Sequence, residues 1–242
     1  HRQKNKFDVE HIRAVNPNII YARGSAWGNK GPEREIGGFD GTVFWSRSGI
    51  AHAMSPAELD GPLGQGMPAF GDSIGGMFIA GGISAALYHR AQTGEAVEMD
   101  VSLLSTAWWA SGALIAQVME TDQYSPNAMP RSGGVSVNPF MGNFRTSDGG
   151  WINVCILSPS NVIRDTFEHL GLPEMADVPR FSEPLKLFEN AAIASGYIVD
   201  AFSKKPFEYW RKHLKTMKGQ WAPIQTMRDL LTDDQTVAND MI

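Results

Sequence analysis

One cysteine, Cys155, is the whole thiol complement of this 242-residue chain. No disulfide can close within it, and nothing in it calls for an oxidising compartment. An excess of positive charge is also lacking: 21 Lys and Arg stand against 26 Asp and Glu, a net charge of −5. The basic residues are scattered, so the electrostatic footprint of a nucleic-acid binder is missing. The six histidines, His1, His11, His52, His89, His169 and His213, show no metal-ligand spacing. There is no phosphate loop, no dinucleotide fingerprint and no Gly-x-Ser-x-Gly elbow. The nearest approach to the last, GSAWG at 24–28, has alanine at its centre. The basic residues 1–7 do not lead into the apolar core of a signal peptide. A cytoplasmic protein without a bound metal is therefore expected. The one long uncharged run, 101–119, is broken by serines, Thr106 and Gln117, which favours a buried helix over a membrane span.

What is present is an ordinary globular composition, with 43% hydrophobic and 19% charged residues. FDVEHIRAVN at 7–16 reads as a short helix stopped by Pro17. Ile19 to Ala22 reads as a buried strand running into a glycine-rich turn, Gly24 to Pro32. Residues 39–55 are plausible helix, and 56–71 form a proline- and glycine-rich loop. A helix is predicted from Asp72 or Ser73 to about Gln92, closed by Gly94. A strand over 97–101 follows, then the uncharged helix of about 102–119. Beyond a linker at 121–140, Ser147 to Gly150 should turn a hairpin into a strand from Trp151 to Ile156, and the rest is helical in character. The domain boundary falls near residue 130.

Asp72 stands out. It is the only Asp, Glu, Lys or Arg between Gly61 and His89, and it lies between an apolar loop and a helix of small residues. An aspartate there is either a helix N-cap or a reactive group, and the two are compatible, because a helix N-terminus favours an ionised carboxylate. Gly75 and Gly76 leave the next turn bare, either for a bulky substrate to approach or for close helix packing, which Gly81 and Gly82 also suggest.

Residues 71–104, GDSIGGMFIAGGISAALYHRAQTGEAVEMDVSLL, resemble the signature of the class III coenzyme A transferases, the CaiB/BaiF-like family. Its members include formyl-, carnitine- and bile-acid-coenzyme A transferases and the α-methylacyl-coenzyme A racemases. NPNIIYARGSAWGNKGP at 16–32, FRTSDGGWINV at 144–154 and MRDLLTDDQ at 227–235 resemble further family segments in the same order. The resemblance implies an α/β fold. A partial Rossmann-like large domain over 1–130 would be joined by a linker to a smaller α+β domain over 131–242, in an interlocked homodimer with the 102–119 helix where the chains meet. The family's chains are longer at both ends. The N-terminal part of the large domain, which supplies much of the coenzyme A nucleotide site, and the C-terminal return to it are expected to be lacking.

The resemblance also implies a function: transfer of coenzyme A from an acyl-coenzyme A to a carboxylic acid acceptor, through an aspartyl thioester at Asp72. The thioester is a substrate, and no permanently bound cofactor is implied. Candidate substrate-binding positions are Phe39, Gly75, Gly76, Gly133 and Gly134. The last two, in RSGG at 131–134, match a glycine-rich loop that covers the intermediate, or else form an ordinary linker turn. The racemases carry a His-Asp dipeptide where this chain has Phe39-Asp40. Phenylalanine cannot move a proton, which disfavours racemisation, while the transferases commonly have an aromatic residue there. Asp40 itself is expected to bond within its own turn. The alternatives are a 2-methylacyl-coenzyme A racemase or epimerase and a catalytically incomplete binding fragment.

Overall fold

The computed structural model describes residues 4–56, 59–121 and 137–242, and contacts divide the chain into two units, His1–Ala128 and Met129–Ile242. Each mixes helices and strands.

In the first unit, helix α1 (Val9–Val15) starts at Asp8, whose side chain accepts the His11 N–H. Strand β1 (Tyr21–Ser25) lies two to three residues beyond the expected position and is half-buried rather than buried. A π-helix over Gly41–Arg47 buries Val43, Phe44 and Trp45. Gly49, with φ +89°, turns the chain into the short helix α2 (Ile50–Met54). The long helix α3 (Phe70–Thr93) ends at Gly94, whose φ of +78° is the left-handed conformation that glycine adopts without steric cost. Strand β2 (Glu98–Ser102) pairs in parallel with β1, from Tyr21↔Glu98 to Ser25↔Ser102. Arg23 bonds Asp100 directly across this pair and also faces Glu98. Burial opposes the Arg23 charge, but the Asp100 bond and the Glu98 charge outweigh it and raise its pKa above the ordinary value.

Helix α3 packs on both strands as their crossover helix. A Cβ at Gly24 would meet the Ile79 side chain, and one at Gly82 would collide with Met99. Arg90 reaches back to the Asn18 carbonyl at 2.9 Å and so ties the end of α3 to the entry of β1. Among the described helices, α3 is the one long and apolar enough to cross a membrane, yet its packing is that of a crossover helix on a sheet. The uncharged stretch forms two helices, α4 (Leu103–Ala110) and α5 (Gly112–Thr121), which meet at Ser111. The expectation of one buried helix is overturned. Only Thr106 and Ala107 of α4 are buried, no residue of α5 is, and Trp108, Trp109, Leu114, Val118 and Met119 stand exposed.

The second unit opens on the hairpin of β3 (Met141–Arg145) and β4 (Trp151–Cys155), which β5 (Trp221–Pro223) extends to an antiparallel sheet of order β3-β4-β5. Ile152 and Val154 alternate with more exposed neighbours, the period of two that turns one face of a strand to the core. Against that face lie α6 (Ile163–His169), α7 (Pro184–Glu189), α8 (Ala191–Ser203) and α9 (Phe207–His213), giving one contiguous core. Phe144 stacks on Phe202 at 4.9 Å between ring centroids. The short helices α10 (Met227–Leu230) and α11 (Asp234–Ala238) follow. At the hairpin turn, Asp148 accepts the Thr146 hydroxyl and the Phe207 N–H. It thereby caps α9, whose own N-cap, Pro206, makes no side-chain cap bond.

Candidate active site

In a parallel α/β sheet, ligands bind in the crevice beyond the carboxyl ends of the strands. A cleft of about 390 Å³ lies there. Gly24, Ser25 and Ala26 line it from the end of β1, Val101, Ser102 and Leu103 from the end of β2, and Asp72, Gly75, Gly76 and Ile79 from α3, with Gly38 beside them. Among the described residues, Asp72 is the only charged one of that lining.

The N-terminal ends of two helices contribute to this cleft. Ser102 caps α4 through a reciprocal pair: its hydroxyl accepts the Ser105 N–H at 2.9 Å, and the Ser105 hydroxyl accepts the Ser102 N–H at 3.0 Å. The Leu104 N–H donates to the Ala26 carbonyl, joining the start of α4 to the turn after β1. Asp72 is the third residue of α3. The site therefore combines a carboxylate with the partial positive charge of helix N-termini, which favours anions and developing negative charge on a substrate oxygen.

Asp72 is not the N-cap, as the capping alternative had it. Helix α3 begins two residues earlier, after Ala69, which adopts the left-handed φ of +56° and makes no side-chain cap bond. The Asp72 carboxylate accepts no hydrogen bond from the described residues and is exposed to the cleft. Gly75 is buried, and a Cβ there would make only ordinary contact with Thr106, whereas at Gly76 a Cβ would point into open space. Phe39, 81% exposed, is not among the residues lining the cleft, although its neighbour Gly38 is. Gly133 and Gly134 lie outside the described residues.

Asp40 departs from expectation. It is 7% exposed and does not bond within its own turn. One carboxylate oxygen accepts the Gly71 N–H at 3.0 Å, and the other accepts the Gln65 side-chain amide at 2.6 Å. A second cleft, of about 530 Å³, shares Ser102 with the first and is lined by Trp27, Gly28, Asn29, Lys30 and Asp100 among others. Among the described residues, no group of three or more His, Cys, Asp or Glu gathers as a metal would require.

The profile of CoA-transferase family III matches residues 1–242. The chain belongs to that family. Among curated members it is 28% identical to the cinnamoyl-CoA:phenyllactate CoA-transferase of Clostridium sporogenes, over 99% of this chain and 57% of that one. It is 27% identical to the (R)-2-hydroxy-4-methylpentanoate CoA-transferase of Clostridioides difficile, over 96% of this chain and 57% of that one. The acetyl-CoA:oxalate CoA-transferase of Acetobacter aceti is 27% identical, over 98% and 59%. The family III chain thus spans less than two thirds of the length of these relatives. Its mixed α/β fold matches those of Rv3272 from M. tuberculosis, at a TM-score of 0.80, and of a CaiB/BaiF family protein from Brucella suis, at 0.79. Both are 22% identical, over 99% of this chain and 61% of theirs.

Proposed function

We propose that the protein to which this chain belongs transfers coenzyme A from an acyl-coenzyme A to a carboxylic acid, with Asp72 as the nucleophile. The observation that carries this reading is the position of Asp72 as the only charged side chain, among the described residues, of a cleft at the carboxyl ends of two parallel strands. A carboxylate oxygen of Asp72 attacks the donor thioester carbonyl, and the C–S bond breaks to give a mixed anhydride and the coenzyme A thiolate. The thiolate attacks the aspartyl carbonyl, which forms a β-aspartyl thioester and releases the donor acid. The acceptor carboxylate then runs the same steps in reverse. No net proton or electron is consumed.

Carboxylates are weak nucleophiles, so orientation and stabilisation of the oxyanion must supply most of the rate. The bare wall at Gly75 and Gly76 leaves room for the thioester beside the carboxylate. Two chains are proposed to assemble through the exposed apolar face of α4 and α5.

The test is to incubate the full-length enzyme with an acyl donor, trap with hydroxylamine or borohydride, and map the product by mass spectrometry. Label is expected on Asp72, and Asp72→Ala should lose roughly 10³-fold or more in turnover. Label on another residue, or an active Asp72→Ala, would refute the proposal. Run in deuterated water with a 2-methylacyl thioester, the enzyme should show no catalytic incorporation of deuterium at Cα. Rapid incorporation that depends on Asp72 would make it a racemase instead.

A further inference from the structure

A nucleophile at the third position of a helix is aimed by the first turn, and that turn is here poorly secured by its own sequence. Ala69 has no side-chain acceptor to offer, and Gly71 has no side chain with which to hold its backbone. The free donor of Gly71 is instead taken by Asp40, thirty-one residues away in the chain. Each oxygen of the Asp40 carboxylate holds a donor, Gly71 on one and Gln65 on the other. The Gln65 amide also donates to the Met67 carbonyl at 2.9 Å, so one buried carboxylate fixes both the loop before α3 and its first turn. On the neighbouring side, Phe44 sits against the Gly71 backbone and meets Phe70 edge-to-face at 5.6 Å.

We infer that Asp40 is a positioning residue for Asp72. It caps α3 in trans and holds the first turn so that the nucleophile faces the cleft. It is no base or nucleophile itself, because it is buried and is not among the residues lining the cleft. Removing it would leave the Gly71 N–H without a partner beside an uncapped turn, and a displacement of about 1 Å at a reacting group can cost on the order of 100-fold in rate.

This inference rests on the proposed role of Asp72, and the experiment separates the two. The rate of aspartyl thioester formation at Asp72 is measured in single turnovers for full-length wild type, Asp40→Ala, Asp40→Asn and Gln65→Ala, with circular dichroism as the check on folding. Asp40→Ala should slow the step by roughly 10- to 100-fold while KM for the donor stays within about threefold. Asp40→Asn should recover most of the rate, because its amide oxygen can still accept the Gly71 N–H. Gln65→Ala, which leaves the Gly71 bond in place, should fall between wild type and Asp40→Ala, and this arm stands if Asp40→Ala does not fold. A wild type without thioester at Asp72 overturns both the reaction and the inference. A wild type that forms it, beside a folded Asp40→Ala of unchanged rate, a loss confined to KM, or an unslowed Gln65→Ala, overturns the positioning role alone.

Discussion

At Gly71 the Phe44 ring and the Asp40 carboxylate close in on the Cα from two sides and occupy the space where a Cβ would lie. At Gly81, ten residues along the same helix, nothing lies within 4 Å of that point. One substitution should therefore have opposite effects at the two positions. Gly71→Ala must push aside a packed ring and a hydrogen-bonded carboxylate, and should cost about 1–3 kcal/mol. Gly81→Ala removes only the entropic penalty of a helical glycine and should gain about 0.5–1 kcal/mol. Urea titration of the two variants reads both signs, and a stabilised Gly71→Ala would contradict the packing described. The sequence made Asp72 visible because no other charge stands between Gly61 and His89. The partner of Asp40 is not legible in the sequence, because aspartates near turns mostly bond locally and nothing in the sequence reports a donor thirty-one residues away.

Element boundaries follow the same division between local and distant causes. Gly94 ends α3 as expected, because a left-handed C-terminal residue is a local requirement. The start of α3 lies at Phe70, two or three residues before the expected Asp72 or Ser73, because its cap comes from another segment. The β3–β4 hairpin was readable from its turn, while β5 carries only three residues and pairs with β4 across most of the unit. Asp148 in that turn offers a pH test. The Thr146 hydroxyl and then the Phe207 N–H hold its pKa below the ordinary carboxylate value. A lowered folded-state pKa contributes stability that is present above about pH 4 and is lost as pH falls through the folded value. Asp148→Asn should thus be less stable than wild type at neutral pH, and the gap in denaturation midpoint should close towards pH 2. A gap that stays constant across the range would show that the charge plays no part.

For the whole molecule, the contrast lies between the two units. The second has a contiguous core of aromatic and aliphatic side chains, whereas α4 and α5 of the first leave large apolar residues exposed, Trp109 at 71%. Ser48, Gly49 and Ala53 form an apolar groove with Trp108, Ser111, Leu114, Ile115, Val118 and Met119. The proposed dimer would cover this contiguous apolar surface. Light scattering on the full-length protein should give a dimer, with a contact above roughly 2,000 Å² that includes Trp108, Trp109, Leu114 and Ile115. Trp109→Glu should shift it towards monomer, and a wild-type monomer would end the proposal. The α/β class came with the family resemblance of residues 71–104. The cleft as a place was not, since it exists only once β1 lies beside β2.

That pairing also has a cost in time. Arg23 must wait for Asp100, seventy-seven residues later, whereas Arg145 and Trp151 of the hairpin are neighbours almost as soon as they are made. At synthesis rates of roughly 5–20 residues per second, β1 is made about 4 to 15 s before Asp100 of β2. For that interval Tyr21–Ser25 lacks its β2 partner, and the ends of the future cleft are still separate stretches of one unfinished polypeptide.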